Sequence, residues 1–93
     1  MRWYSPVPGV RLESIGLMWA AYSPLSGETH LLNDESAAIV EWLAEQGSST
    51  TARVAAGLAA ELSMELAHLE SAVELAWTPL CVAGLVRQRQ DRQ

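Results

Sequence analysis

The sequence predicts a single α+β domain of winged helix-turn-helix-like order, an N-terminal three-stranded antiparallel sheet followed by three helices. Three observations carry the prediction. Apolar and polar residues alternate with period two through the first third of the chain, the turn-forming run Ser23-Pro24-Leu25-Ser26-Gly27 divides that third, and beyond Asn33 the apolar spacing changes to three and four. At 93 residues the chain holds one core. A chain this short leaves much of its surface exposed after folding, which argues against a deep, multi-part active site.

Each strand has its own signal. Val10-Arg11-Leu12-Glu13-Ser14-Ile15 alternates as a half-buried strand does, and Gly16 ends it. Leu17 to Tyr22 is apolar on both faces, which predicts the central strand of the sheet. Thr29-His30-Leu31-Leu32 is the third strand. Between the second and third, Pro24 presets φ at about −65° to begin a type I turn, and Gly27 supplies the left-handed residue that closes it. Trp3 and Tyr4 precede Pro6 and Pro8, a pattern that predicts an extended strap across the core rather than a paired strand.

The helices follow from caps and stripes. Asn33 is a good N-cap, with Asp34 and Glu35 in the first turn, where acidic side chains favour the helix dipole. The first helix runs to about Gln46, buries Ala38, Ile39, Trp42 and Leu43, and stops at Gly47. After the polar linker Ser48 to Thr51, residues Val54, Ala55, Leu58, Ala59 and Leu62 make the stripe of a second helix. Gly57 within it costs about 1 kcal/mol of helix propensity, which close helix packing would explain. The third helix begins near Ser63 to Glu65, carries Leu66, Leu69, Val73, Trp77 and Leu80, and stops at Gly84, with a kink or break at Pro79. The domain therefore spans 1–86, and 87–93, which has no apolar residue, reads as a flexible polar tail.

Charge narrows the partners. The net charge is −5, and residues 1–86 carry three arginines against ten acidic side chains, a net of −7. Such a body repels a phosphate backbone and attracts cationic peptide segments. The third helix also offers Met64, Glu65, Leu66 and His68 where a recognition helix needs Arg, Lys, Asn or Gln, so no nucleic-acid partner is expected. Cys81 is the lone cysteine, so no internal disulfide forms. The N-terminus lacks the unbroken apolar stretch of a signal peptide, and no run is long enough to span a bilayer. A cytoplasmic protein with no membrane partner is expected.

Catalytic and cofactor chemistry finds no foothold. His30, His68 and Cys81 are scattered without metal-ligand spacing, so no metal and no cofactor are expected. No glycine-rich phosphate loop is present. Glu65, Glu70 and Glu74 read as a solvated acidic face or a docking face for a basic peptide, not as an acid/base pair. No catalytic residue is assigned, and the chain reads as a binding module rather than an enzyme.

The run Tyr22-Ser23-Pro24-Leu25-Ser26-Gly27-Glu28-Thr29-His30-Leu31-Leu32-Asn33, followed by Ser36-Ala37-Ala38-Ile39 and Trp42-Leu43, resembles the PqqD family, and within it the HPr-rel-A system peptide-chaperone group. The closing Leu80 to Val86 is similar to that family's last helix and terminal Gly-Leu-Val. Asp34 stands where many members have Pro, and Trp77-Thr78-Pro79 departs from their final helix. The resemblance implies a recognition element for ribosomally made, modified peptides. A precursor's leader peptide would add as a strand between the third strand and the third helix, and a separate modifying enzyme, HPr-kinase-related, would act on the rest. Thr29, His30 and Leu31 would offer the edge, and Leu66, Leu69, Glu70, Val73 and Trp77 the groove wall. Leu69 and Val73 fit the core better than the groove, because a small domain needs most of its large apolar residues inside; one of His30 and Leu31 must face inward, and a solvent-exposed position fits His30 as well as a peptide contact does. The alternatives are a winged-helix-like DNA-binding regulator and a homodimerisation or scaffold module built on an uncovered edge strand.

Overall fold

The computed structural model describes residues 2–90. Its elements run β1 (Arg2–Pro6), β2 (Arg11–Ile15), β3 (Met18–Ser23), β4 (Glu28–Leu32), α1 (Asp34–Gln46), α2 (Thr51–Leu62), α3 (Leu66–Val82) and β5 (Val86–Gln90). The fold is α+β. An antiparallel sheet of order β2-β3-β4 precedes three helices, and β1 and β5 form a separate antiparallel ribbon.

The hairpin forms as its residues dictate. The Gly27 N–H donates to the Ser23 carbonyl at 2.8 Å and closes the turn. Register then pairs Tyr22 with Thr29, Ala21 with His30 and Ala20 with Leu31. On the far side of β3, Leu12 pairs with Ala21, which places β3 in the centre. Ala21 is fully buried. Leu12, Ala21, His30 and Leu32 therefore share the core face, while Glu13, Ala20, Leu31 and Thr29 lie on the other.

The cap of the first helix matches the expectation, and Thr50 caps the second. Asn33 accepts the Ser36 N–H at 2.8 Å through Oδ1, and the Thr50 hydroxyl accepts the Arg53 N–H at 3.3 Å. Gly57 is the contact point between α1 and α2. A Cβ there would meet the Trp42 indole, with Cε2 and Cζ2 at 2.8 and 2.9 Å and Nε1 nearer still. Close packing thus outweighs the propensity cost.

Two expectations change. Arg87 to Gln90 are not a tail: they belong to β5 and pair with β1, Arg87 opposite Ser5 and Arg89 opposite Trp3. The remaining tail positions, 91–93, lie outside the described residues. The N-terminal segment is accordingly a paired strand and not only a strap. On its second side Tyr4 exchanges N–H···O bonds of 2.8 and 2.9 Å with Ser49. The physical reason is that ladder hydrogen bonds and one inward aromatic, Tyr4, hold the ribbon, so β5 needs no apolar residue after Val86.

The third helix also differs. Ser63, left-handed at φ 54°, closes α2, and α3 starts at Leu66 without a side-chain cap. It is continuous through Pro79 to Val82 rather than broken there. Pro79 sits in the last turn, where the missing N–H leaves only the Leu75 carbonyl without its helical partner.

The core joins both sheets to the helices. Tyr4 stacks on Trp77 with ring centroids 3.8 Å apart and planes 5° from parallel. The Trp77 indole N–H donates to Thr51 Oγ1 at 2.8 Å, and that hydroxyl lies 2.9 Å from Glu74 Oε2. The buried polar tip of the tryptophan is thereby satisfied. Ile39, Leu43, Val54, Leu58, Leu69, Val73, Leu80 and Leu85 complete the interior.

Candidate functional site

Strand β4 is an edge of its sheet, paired with β3 on one side only. An unpaired edge presents a row of backbone donors and acceptors that another extended chain can use. Two of its side chains, Thr29 and Leu31, point away from the core, and Leu31 is 66% exposed. His30 takes the inward side, half-buried, with Nε2 at 3.5 Å from Ser26 Oγ.

Asn33, the residue that follows β4, borders a groove of about 420 Å³ between the first turn of α1 and one side of α3. Asn33, Glu35 and Ser36 form one wall; Ala72, Leu75, Ala76 and Pro79 form the other. Leu75 is 79% exposed, an apolar side chain with nothing over it. At one end His68 Nε2 meets Glu35 Oε2 at 3.2 Å and bridges the two helices. Both partners are substantially exposed, so the pair contributes little to stability. It does place a carboxylate at the groove mouth.

The expected wall residues divide sharply. Leu69, Val73 and Trp77 are 1%, 0% and 3% exposed, so they belong to the core and offer a ligand no surface. Leu66 is exposed beside Leu62 and Met64 at the α2–α3 turn. Glu70 is exposed but lies two residues before Ala72, about 200° round the helix and away from the groove. The groove residues His68, Ala72, Ala76 and Pro79 each immediately precede a core residue, Leu69, Val73, Trp77 and Leu80. The groove stripe is therefore the core stripe turned by about 100°. Moreover, α3 packs on α2, α1 and β5, and it is the start of α1 that lies between β4 and α3.

Two anchors of this region escaped the sequence patterns. The Trp19 indole N–H donates to Asp34 Oδ1 at 2.9 Å and pins β3 to the start of α1. Ser23, fully buried, donates through Oγ to the Gly84 carbonyl at 2.7 Å and accepts the Leu25 and Ser26 N–H groups at 3.2 Å each. Its position before Pro24 was a signal for the second role, since a Ser ahead of a turn commonly bonds the backbone two or three residues on.

Among the described residues no three His, Cys, Asp or Glu side chains cluster as metal ligands would. Burial pushes the Cys81 thiol above its ordinary pKa, which favours the unreactive protonated form. No described helix is long and apolar enough to cross a membrane. No family model matches the chain, and no curated protein or solved structure matches it significantly.

Proposed function

We propose that the protein is a non-catalytic peptide chaperone that binds a precursor's leader segment by strand addition at β4 and presents the remainder to a separate modifying enzyme. The supporting observation is the proximity of an unpaired edge strand to an open, partly apolar groove lined by Asn33, the residue after that strand. Ladder hydrogen bonds along Glu28–Leu32 would supply affinity without regard to sequence. Selectivity would come from the groove, where Leu75, Ala76 and Pro79 accept an apolar side chain and Glu35 favours a basic one. The net charge of −7 over residues 1–86 draws the same kind of segment from a distance.

The resemblance to PqqD-type sequences suggests an HPr-kinase-related protein as the modifying enzyme. A cytosolic setting suits the lone half-buried thiol of Cys81, which stays reduced there.

The test is a fluorescence titration against short peptides encoded beside the gene. Trp19 is the natural reporter, since it pairs with Leu32 and touches the start of α1. The expected result is a dissociation constant tighter than about 100 μM, equivalent to about −5.5 kcal/mol. Leu75→Glu should weaken binding about tenfold or more, a loss of about 1.4 kcal/mol, with an unchanged circular dichroism spectrum. If no neighbouring peptide binds that tightly, or Leu75→Glu binds like the wild type, the reading is wrong.

A further inference from the structure

Besides β2 and β4, the two edges of the three-stranded sheet, the chain has a further unpaired edge of different character on β5. In the two-stranded ribbon, β1 is flanked by β5 on one side and by Ser49 on the other, whereas the outer side of β5 pairs with nothing among the described residues. The ribbon borders an open groove of about 690 Å³ whose lining includes Ser5 and Pro6 of β1 and Leu25 and Cys81 as well as Arg87 and Arg89.

The charge on the ribbon is one-sided. Residues 2–6 and 86–90 contain Arg2, Arg87 and Arg89 and no acidic residue, while residues 7–85 hold ten acidic side chains against Arg11 and Arg53. Among the described residues the only ion pair is His68–Glu35, so Arg87 and Arg89 face solvent without a carboxylate partner. Their spacing of two puts both on one face of β5, the face shared with Trp3 and Ser5. Val86 and Gln88 take the opposite face.

From these features we propose that β5 is a second strand-addition site, one that takes a short acidic extended segment from a partner protein. Each added glutamate or aspartate at alternate positions would stand beside Arg87 or Arg89, and cross-strand pairs of opposite charge stabilise such ladders. The residues between them would lie on the side of Val86. A long polyanion such as nucleic acid would gain the same arginines but extend over a body of net −8 between residues 7 and 85, so the short segment is the matched occupant. This site is independent of the β4 groove, with which it shares no lining residue.

Cys81 makes the test direct, because it is the lone cysteine and lines this groove. The probe is a capped pentapeptide of alternating glutamate and valine, and the readout is the rate of Cys81 alkylation by iodoacetamide at fixed alkaline pH. At a peptide concentration about twice its dissociation constant the rate should fall about threefold. The equivalent lysine–valine peptide should give no protection. Arg87→Glu with Arg89→Glu should exchange the two preferences, and Arg87→Gln with Arg89→Gln should abolish protection if the first pair disturbs folding. Leu75→Glu should leave protection intact, which separates this result from leader binding. Equal protection by both peptides, none by either, or protection by an oligothymidylate as good as by the acidic peptide would overturn the proposal. So would alkylation that slows with protein concentration alone, since that reports pairing of two copies.

Discussion

The β4 edge and the β5 edge offer the same backbone chemistry and little else in common. β4 belongs to a hairpin whose register is set locally, by a five-residue turn and by the Asn33 cap that follows it at once. β5 is placed from far along the chain, by pairing with the first strand and by the junction at Gly84. Around β4 the formal charges are acidic, with Glu28, Asp34 and Glu35 close in sequence; around β5 they are basic. Edge availability is therefore not what would distinguish the two proposed binding sites in so small a domain. What would distinguish them is the field and the side chains beside the edge.

The difference in how the edges are held predicts different sensitivities. The largest effect should come from Tyr4→Ala, which removes the ring stacked on Trp77 and leaves a cavity under β1. A loss of about 3–5 kcal/mol is expected, the range for truncating a large buried aromatic. Chemical denaturation measures it, and hydrogen exchange sharpens it: amides of β1 and β5 should lose protection before those of β3. Uniform loss across both sheets would mean that the two edges are one cooperative unit.

Gly84→Ala should rank second. Gly84 has φ 77°, and a Cβ there would lie 2.6 Å from Ser23 Oγ. Left-handed strain and displacement of that hydroxyl act together, so a loss of about 2 kcal/mol is expected by thermal denaturation. Because Ser23 ties the hairpin turn to the α3–β5 junction, this is the one substitution that should loosen both regions. An unchanged melting temperature would show that the junction tolerates rearrangement and that the edges are not linked through it.

How much of this was legible in the sequence follows the same division. The hairpin, the Asn33 cap and the close helix packing at Gly57 were readable because each rests on residues close together or on one unusual residue. Strand β5 was not, because Arg87-Gln88-Arg89-Gln90 has no apolar alternation. Its stability comes from hydrogen bonds to a strand more than eighty residues away. The groove on α3 was missed for a geometric reason. Leu69, Val73 and Trp77 announce a stripe, but spacing alone does not say which side of the helix the sheet covers. The small residues Ser71, Ala72 and Ala76, which leave the space, look like ordinary helix formers.

Asn33→Ala tests the β4 side. The side chain accepts one N–H, and its loss should cost about 1 kcal/mol, the usual value for an N-cap. Asn33 also lines the groove, so under the proposed function the variant should bind the leader peptide more weakly, while peptide at the proposed β5 site still protects Cys81 against alkylation. If both sites weaken equally, the α1 cap orders the whole domain and the separation of the two edges breaks down.

The smallest change is expected for Arg87→Gln with Arg89→Gln. Both side chains are exposed and neither has an ion-pair partner among the described residues, so the fold loses no ion pair with them. β5 is anchored instead by Val86, 2% exposed, and by the ladder to β1. A stability change below about 0.5 kcal/mol is expected, as for surface positions in general. In a domain of this size that moves the melting temperature by less than about 4 °C. A larger drop would mean that the arginine stems cover apolar surface, with Trp3 directly opposite Arg89 as the first place to look. Their presence would then be a matter of packing, and the charge contrast between the two edges would lose its functional meaning.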